Sequence, residues 1–387
     1  MNFWVRKILL WGIVFFLLDG TKCWGKTEQE IPGYEEGKKE LQEEMLDELN
    51  LSEVEEAVDE LLQENISFRD MVKAMMEEGR IWLPQEWKKT GIQLFLENLG
   101  IQKKILVPLL LLAVTASLLA GFSSVLEEQQ IGEISFYVVY LFLFVLLLKS
   151  FESFAGQIGE TLEKITEFMR ALLPAYYLAL SASEGISTAG IFYQMIIGII
   201  FLVEHLILKI LLPGVRFYFL IELINYLTRE EFLSKMTELL KTGIQWVMKT
   251  MVGMILGLQL IQRLISPAVD ALKRTAWGKT AEAIPGVGNI FSGITEMVLG
   301  LAVLLKNCLG AAALLLLLLA AIPPVIRLGI SSVCYRLLAA LLQPVTDSRI
   351  AGCIQTMGEG VGMLLKILFT VEILFFLTIA ILAGSLG

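Results

Sequence analysis

The sequence is poor in the residues that build most active sites and metal centres. It holds one histidine and four cysteines in 387 residues, and it has no CxxC, HExxH or GxSxG motif. A single histidine argues against His-based catalysis and multi-His metal sites, and scattered cysteines argue against a zinc site or a disulfide framework. We therefore expect no catalytic, cofactor-binding or metal-ligating residues, and no enzyme activity.

The sequence also lacks an overall positive charge. Its formal net charge is -9, so it offers no basic field for nucleic acid. The charge is unevenly spread: residues 26–100 hold 20 acidic against 8 basic residues, a net of -12, whereas residues 101–387 carry a net of +1. The chain is thus an acidic segment in front of a nearly neutral body.

That body is unusually apolar. Hydrophobic residues make up 56% of the chain and charged ones 18%, against about 45–50% and about 25% in soluble domains. The mean hydropathy is +0.68. These values exclude an ordinary soluble enzyme and indicate a membrane protein.

Residues 1–25 have the pattern of an export signal. Arg6 and Lys7 precede the apolar run Ile8–Leu18, which is short for a membrane span. A cleaved signal peptide and an uncleaved anchor both fit this pattern. In either case we expect the acidic segment to face outside the cytoplasm.

Residues 26–100 predict a small exported helical region. Apolar residues recur there at three- and four-residue spacing, as at Val54, Val58 and Leu61. Two capping boxes, Ser52–Glu55 and Ser67–Asp70, mark helix starts. Three or four short helices would bury the apolar stripes, and the acidic face would be either solvated or a binding surface.

Residues 101–387 predict a multi-pass membrane domain, and hence an all-α fold. A helix needs about 20 apolar residues to cross a bilayer. Seven segments meet this requirement approximately: Ile105–Phe122, Ile134–Leu148, Ile186–Val203, Leu206–Ile224, Trp246–Ile261, Cys308–Ile326 and Ile367–Gly384. Three further segments predict short re-entrant or interfacial helices: Ala171–Ser183, Ile284–Leu305 and Leu328–Gln343.

The charges of the loops give a topology. If the acidic segment is outside, five spans bring the chain to the cytoplasm at Gln262–Glu282, which has the strongest basic excess between spans. The positive-inside rule favours this side. Seven spans then leave the C-terminus in the cytoplasm.

Charged residues within the apolar segments are candidates for a polar intramembrane pathway, since they are costly to place in lipid. The candidates are Glu222, Glu296 and Glu372. Small residues four apart are candidates for close helix packing. These pairs are Ser117 with Gly121, Gly253 with Gly257, and Gly358 with Gly362.

Several motifs resemble one known family. They are LLPAYYLAL at Leu172–Leu180, AIPGVG at Ala283–Gly288, LKNCLG at Leu305–Gly310, LQPVTDSRI at Leu342–Ile350, and FFLTI at Phe375–Ile379. In this order, behind an export signal, they resemble the stage III sporulation protein AE family of endospore-forming bacteria. The resemblance covers most of residues 100–387.

This resemblance implies a role in endospore formation rather than a reaction. Members of the family are encoded with seven companion proteins in one operon and act in the mother-cell membrane around the engulfed forespore. The resemblance therefore implies an integral membrane component of a channel or secretion-like apparatus, with the companions and a forespore membrane protein as partners. It carries over no catalytic residue and no cofactor.

Two other classes of function remain open. A secondary transporter would move a small solute past the intramembrane charges, and such proteins usually contain inverted repeats with paired broken helices. Pro213-Gly214 and Pro323-Pro324 are helix breakers, but no sequence repeat surrounds them. An intramembrane enzyme would need a nucleophile and a base, and the sequence shows no such pair.

Overall fold

The computed structural model describes residues 34–62, 66–78, 87–125, 129–227, 233–277 and 288–383. Over these residues the regular structure is helical, with no strand, so the all-α prediction is confirmed. The predicted signal peptide, residues 1–25, lies outside them. The helices are α1 (Tyr34–Glu48), α2 (Ser52–Leu62), α3 (Phe68–Glu78), α4 (Trp87–Val125), α5 (Gln129–Glu184), α6 (Ile186–Leu202), α7 (Leu212–Asn225), α8 (Ser234–Trp277), α9 (Gly288–Leu342) and α10 (Ser348–Ala383).

Helix α3 begins at a cap supplied partly by α2. The Glu55 carboxylate accepts hydrogen bonds from the Ser67 hydroxyl and from the next two backbone amides, at 2.7–3.0 Å. These amides have no partner within their own helix, so the carboxylate satisfies them. The predicted Ser67 cap also forms, because the Asp70 amide donates to Ser67 Oγ at 3.1 Å. The predicted Ser52–Glu55 capping box does not form, since the Ser52 hydroxyl donates to Asn50 Oδ1 and the Glu55 amide donates to the Leu51 carbonyl, both at 2.9 Å.

The acidic helices pack on the membrane bundle. Helix α2 contacts α5, and α3 contacts α9. Phe68 of α3 meets Phe168 of α5 edge to face, with ring centroids 6.3 Å apart. Buried residues of α2 and α3 belong to the same apolar core as those of the bundle. The boundary that we predicted at residue 100 falls inside α4.

The long helices form an up-and-down bundle. At one end, the hairpin end, residues 343–347 join α9 to α10, and the Ser117 hydroxyl of α4 donates to the Val345 carbonyl there. Tyr140 near the start of α5 donates to the Leu223 carbonyl near the end of α7 at the same end. Helices α9 and α10 form the centre, since their apolar windows are 61% buried against 19% for α4.

Five helices among the described residues are long and apolar enough to cross a membrane. They are Asn98–Leu118, Phe136–Glu184, Ala189–Asn225, Met297–Leu342 and Ser348–Ala380. The predicted count of seven is not confirmed. The predicted span Trp246–Ile261 lies in α8, which is not one of the five.

Two of the predicted spans belong to one helix. Ile186–Val203 and Leu206–Ile224 are joined by a π-helical segment, Val203–Leu211, that runs from α6 into α7 without a break. The widened π-turns precede Pro213, which occupies the first turn of α7. Pro213 cannot supply the N–H that a continuous helix uses at this point, and the regular hydrogen-bond pattern changes in the π-helical segment just before it.

Two of the predicted short helices are also parts of longer ones. Ala171–Ser183 is the last part of α5, and Leu328–Gln343 lies almost wholly within the last part of α9. Both helices continue through internal prolines, Pro174 in α5 and Pro323-Pro324 in α9. The 49-residue span of α5 is about 74 Å long at about 1.5 Å per residue, against a bilayer core of about 30 Å. A large part of α5 therefore extends beyond a single bilayer.

Candidate functional site: polar and close-packed residues inside the bundle

The closest approach of α9 and α10 lies at Gly358. A Cβ atom at this position would stand 2.7 Å from Arg336 Cγ, 3.1 Å from the Ser332 carbonyl oxygen and 3.2 Å from the Arg336 amide nitrogen. The Ser332 hydroxyl donates to the Gly358 carbonyl at 2.7 Å. One turn on, a Cβ at Gly362 would lie 3.2 Å from Ser332 Oγ and 3.3 Å from Arg336 Nη2. Both glycines of this predicted pair face α9.

The other two predicted packing pairs lie elsewhere. Ser117 contacts the hairpin end through its bond to Val345, whereas the surroundings of Gly121 fall outside the described part of the chain. No atom of the described residues stands within 4 Å of a Cβ built on Gly253 or Gly257. The packing role of Gly253 and Gly257 stays a prediction.

Two further glycines of α10 are in close contacts that the spacing rule misses. A Cβ at Gly352 would lie 2.5 Å from the Tyr226 ring, and one at Gly360 would lie 2.9 Å from the Phe151 ring. Phe151 is stacked on Phe219 with centroids 4.0 Å apart. Gly360 therefore lets α10 approach an aromatic pair from α5 and α7. The spacing of these glycines does not predict the contacts by itself, because the sequence does not show which aromatic side chains of other helices lie opposite them.

The three predicted intramembrane carboxyls have different settings. Glu372 of α10 is buried, and its Oε1 makes no hydrogen bond with the described residues. Glu222 of α7 is half-buried with its Oε2 in the same condition, and it interacts electrostatically with Tyr218 and Tyr226. Glu296 lies in α9, but its side chain is outside the described set. Neither Glu222 nor Glu372 forms an ion pair with the described residues.

A buried ion pair joins the opposite end of the bundle. The Lys306 ammonium, with no exposed surface, donates to Glu184 Oε1 at 2.8 Å. Lys306 lies in the motif at Leu305–Gly310, and Glu184 closes the helix that carries the motif at Leu172–Leu180. The pair therefore joins one motif to the helix that carries another. The sequence signal for this pair was a lysine next to a long apolar run. Residue spacing could not identify Glu184 as the partner of that lysine.

A second ion pair links α8 to α10. Lys241 Nζ donates to Glu359 Oε2 at 2.5 Å, and Gln355 Nε2 lies 3.4 Å from the other carboxylate oxygen. Lys241 lies outside every predicted span, so the sequence pattern did not place it inside the bundle. This pair fixes α8 against the centre of the bundle.

The described residues contain no group of three or more His, Cys, Asp or Glu side chains that could hold a metal ion. The one histidine, His205, stacks on Phe201 with centroids 4.1 Å apart. The contacts described above position the helices and pair opposite charges. The letters of a phosphate-binding loop, GxxxxGK[ST], occur at Gly20–Thr27. They overlap the predicted export signal and lie outside the described residues.

Comparisons with known proteins agree with the motifs. A family model described as stage III sporulation protein AE matches residues 66–385. The chain is similar to the "Stage III sporulation protein AE" of Bacillus subtilis (strain 168). The two are 26% identical over 306 residues, which cover 78% of this chain and 77% of that protein. No solved structure matches.

Proposed function

The chain belongs to the stage III sporulation protein AE family, and we propose that it acts as an integral membrane component of a channel or secretion-like apparatus between mother cell and forespore. Its family supports a role in sporulation. The family is a structural one in sporulation and is not a known enzyme class. We propose that the protein works by assembly with companion membrane proteins and a forespore membrane partner.

The observation that carries this proposal is the extent of the family match. It begins in the acidic region, at residue 66, and reaches residue 385, so α3 and the bundle fall within one family match. The docking of α2 and α3 on α5 and α9 supports the same view. A bundle of this kind presents one fixed surface to partners.

The acidic surface is our proposed contact for a companion protein in the space between the two membranes. Val54 and Val58 bury the apolar side of α2. The exposed carboxylates of α1 and α2 that form no ion pair with described residues are Glu40, Glu44, Glu48, Glu53, Glu56, Asp59 and Glu60. Their charge is therefore available to a cationic partner surface.

Affinity recovery from sporulating cells tests the proposal. A tagged full-length chain, extracted in mild detergent, should co-purify the companion membrane proteins. Recovery of the chain alone, at normal membrane levels, would contradict assembly as the mode of action.

A variant set then tests the acidic surface. Deleting Glu28–Arg80 is expected to weaken assembly, but it also uncovers Phe168. Glu44→Lys, Glu56→Lys and Glu60→Lys together reverse the exposed charge and leave the apolar contacts in place. Lys235→Glu, at a side chain that is 92% exposed on α8, is the charge-reversal control. Full recovery of companions with the triple variant would remove the acidic surface from the proposal.

A secondary transporter is the second candidate, favoured by one observation. Glu372 is a buried carboxyl in a candidate span with no hydrogen bond from Oε1 to described residues, as expected of a group on a polar pathway. Substrate-dependent uptake by the purified protein alone in vesicles, lost in Glu222→Gln or Glu372→Gln, would favour this function over assembly.

A further inference from the structure

A polar groove lies on the outer side of the contact between α9 and α10, towards the hairpin end. Its lining consists of Arg336, Ala340 and Gln343 from α9 with Gln355 and Glu359 from α10, and its volume is about 180 Å³. Four of these five side chains are polar. Such a lining on a chain with five apolar candidate spans calls for a polar occupant.

The groove has an excess of positive charge. The Glu359 carboxylate is bound by Lys241 at 2.5 Å. Lys366 interacts electrostatically with Arg336, Lys241 and Lys249. Arg336, Lys249 and Lys366 form no ion pair with the described residues. Two cations, Lys241 and Arg336, thus act on the one carboxylate of the groove, which is already bound by Lys241, and Lys366 interacts with all three.

The side chain of Arg336 runs past two glycines of α10, which leave room for it. Its Cγ lies 2.7 Å from where a Cβ of Gly358 would be, and its Nη2 lies 3.3 Å from the same point at Gly362. Any larger residue at Gly358 would occupy the path of the arginine stem. A positioned guanidinium loses less conformational entropy when it binds, and its planar fork matches a phosphate group.

An exposed apolar stripe runs beside the groove. Val333, Leu337 and Leu341 follow one face of α9 and are 64%, 60% and 63% exposed. Gln343, at the mouth, is seven residues from Arg336, which is about 10 Å along a helix. Arg336 is six residues from the end of α9 and lies near exposed apolar side chains, a setting that suits a molecule with an anionic head and acyl chains.

We propose that this groove binds the phosphate group of an anionic phospholipid, with the Arg336 guanidinium as the direct donor and Lys366 as the second cation. Free inorganic phosphate has the same chemistry without the acyl chains. The exposed stripe is the reason to favour the lipid.

The test uses the full chain purified in a non-ionic detergent. Binding is followed as the rise in melting temperature when phosphatidylglycerol, phosphatidylcholine or inorganic phosphate is added. We expect phosphatidylglycerol to raise it and phosphatidylcholine to have little effect. An equal response to both lipids would overturn the proposal. A response to inorganic phosphate that equals the response to phosphatidylglycerol would overturn the choice of lipid as the source.

Arg336→Gln is the principal variant, because glutamine keeps the Cβ and Cγ atoms beside Gly358 and removes the charge and the guanidinium donors. One charged hydrogen bond lost corresponds to about a 10- to 100-fold weaker affinity. Lys366→Gln should weaken binding in the same direction and serves if Arg336→Gln does not fold. Lys235→Gln, far more exposed, is the matched control and should bind as the wild type does. Unchanged phosphatidylglycerol affinity in a folded Arg336→Gln or Lys366→Gln protein would refute the site.

Discussion

Gly358→Ala tests whether the closest contact of α9 and α10 holds the bundle together. The added methyl would meet Arg336 Cγ at 2.7 Å and backbone atoms of Ser332 and Arg336 at 3.1 and 3.2 Å. The arginine stem can move, but backbone atoms of a central helix cannot move without separating the two helices. The Ser332 bond to the Gly358 carbonyl, 2.7 Å long, would stretch at the same time.

The magnitude is obtained by comparison with Gly253→Ala. Both substitutions replace a helical glycine, and each gains up to about 1 kcal/mol from helix propensity. Gly253 has open space where its Cβ would stand. The propensity gain therefore cancels, and the difference between the two variants is the steric cost. Overpacking of this kind costs about 1–3 kcal/mol, so Gly358→Ala should be less stable than Gly253→Ala by that amount.

The assay is the free energy of unfolding of both full-length variants in mixed detergent micelles with increasing denaturing detergent. A Gly358→Ala protein as stable as Gly253→Ala would refute the reasoning, since the contact would then yield without cost. If Gly253→Ala were also destabilised, Gly253 would contact a second chain, and the measurement should be repeated over a range of protein concentration.

Three other perturbations follow from described contacts. Glu55→Gln should loosen α3 by about 1–2 kcal/mol because the cap loses its charge, and faster amide hydrogen exchange in α3 would show it. Lys306→Met should destabilise the bundle by about 3–5 kcal/mol, because it leaves the Glu184 carboxylate without its lysine; adding Glu184→Gln should recover most of the loss in the same unfolding assay. Lys73 lowers the pKa of Glu43 by a hydrogen bond and by its charge, so this pair stabilises the packing of α1 above the ordinary Glu43 pKa of 4.5. That contribution is lost as pH falls through the lowered pKa, and proteolysis of α1 should become faster there, less so in a Lys73→Met protein.

Local features of the fold could be predicted because they depend on neighbouring residues. The Ser67 cap needs only residues three apart, and the apolar spacing at Val54 and Val58 places both in the core. The Glu55 cap could not be predicted in the same way. The groups that donate to the Glu55 carboxylate lie 12–14 residues away, and its own short-range pattern with Ser52 is equally good by sequence.

The number of helices was harder to predict from hydropathy. An apolar run shows which residues could lie in lipid, but it does not show where the helix begins and ends. Charged residues divide α5 into an apolar start, a middle with exposed Glu152, Glu160 and Glu167, and an apolar end. Counting apolar runs therefore divides this one helix into a span and a separate short helix. Helical hydrogen bonds are made within the segment itself, so the helix continues through the charged middle whatever surrounds it. Side-chain partners such as Glu184 and Lys306 could not be predicted either, because they are far apart in the sequence and meet only when the helices pack.

The depth of the helix ends bears on the predicted topology. Phe68 of the acidic helix α3 contacts Phe168, and the adjacent Met169 shares a small cavity with Ile379 of α10. Ile379 and α3 are therefore at the same level of the bundle. The parity count puts the acidic region outside and the C-terminus in the cytoplasm, which requires the bilayer to separate these neighbouring layers. It also relied on two crossings between Ile186 and Ile224, where the structure has one continuous helix. The contacts place the end of α10 and the acidic helices at the same end of the bundle, and the predicted orientation in the membrane stays a prediction.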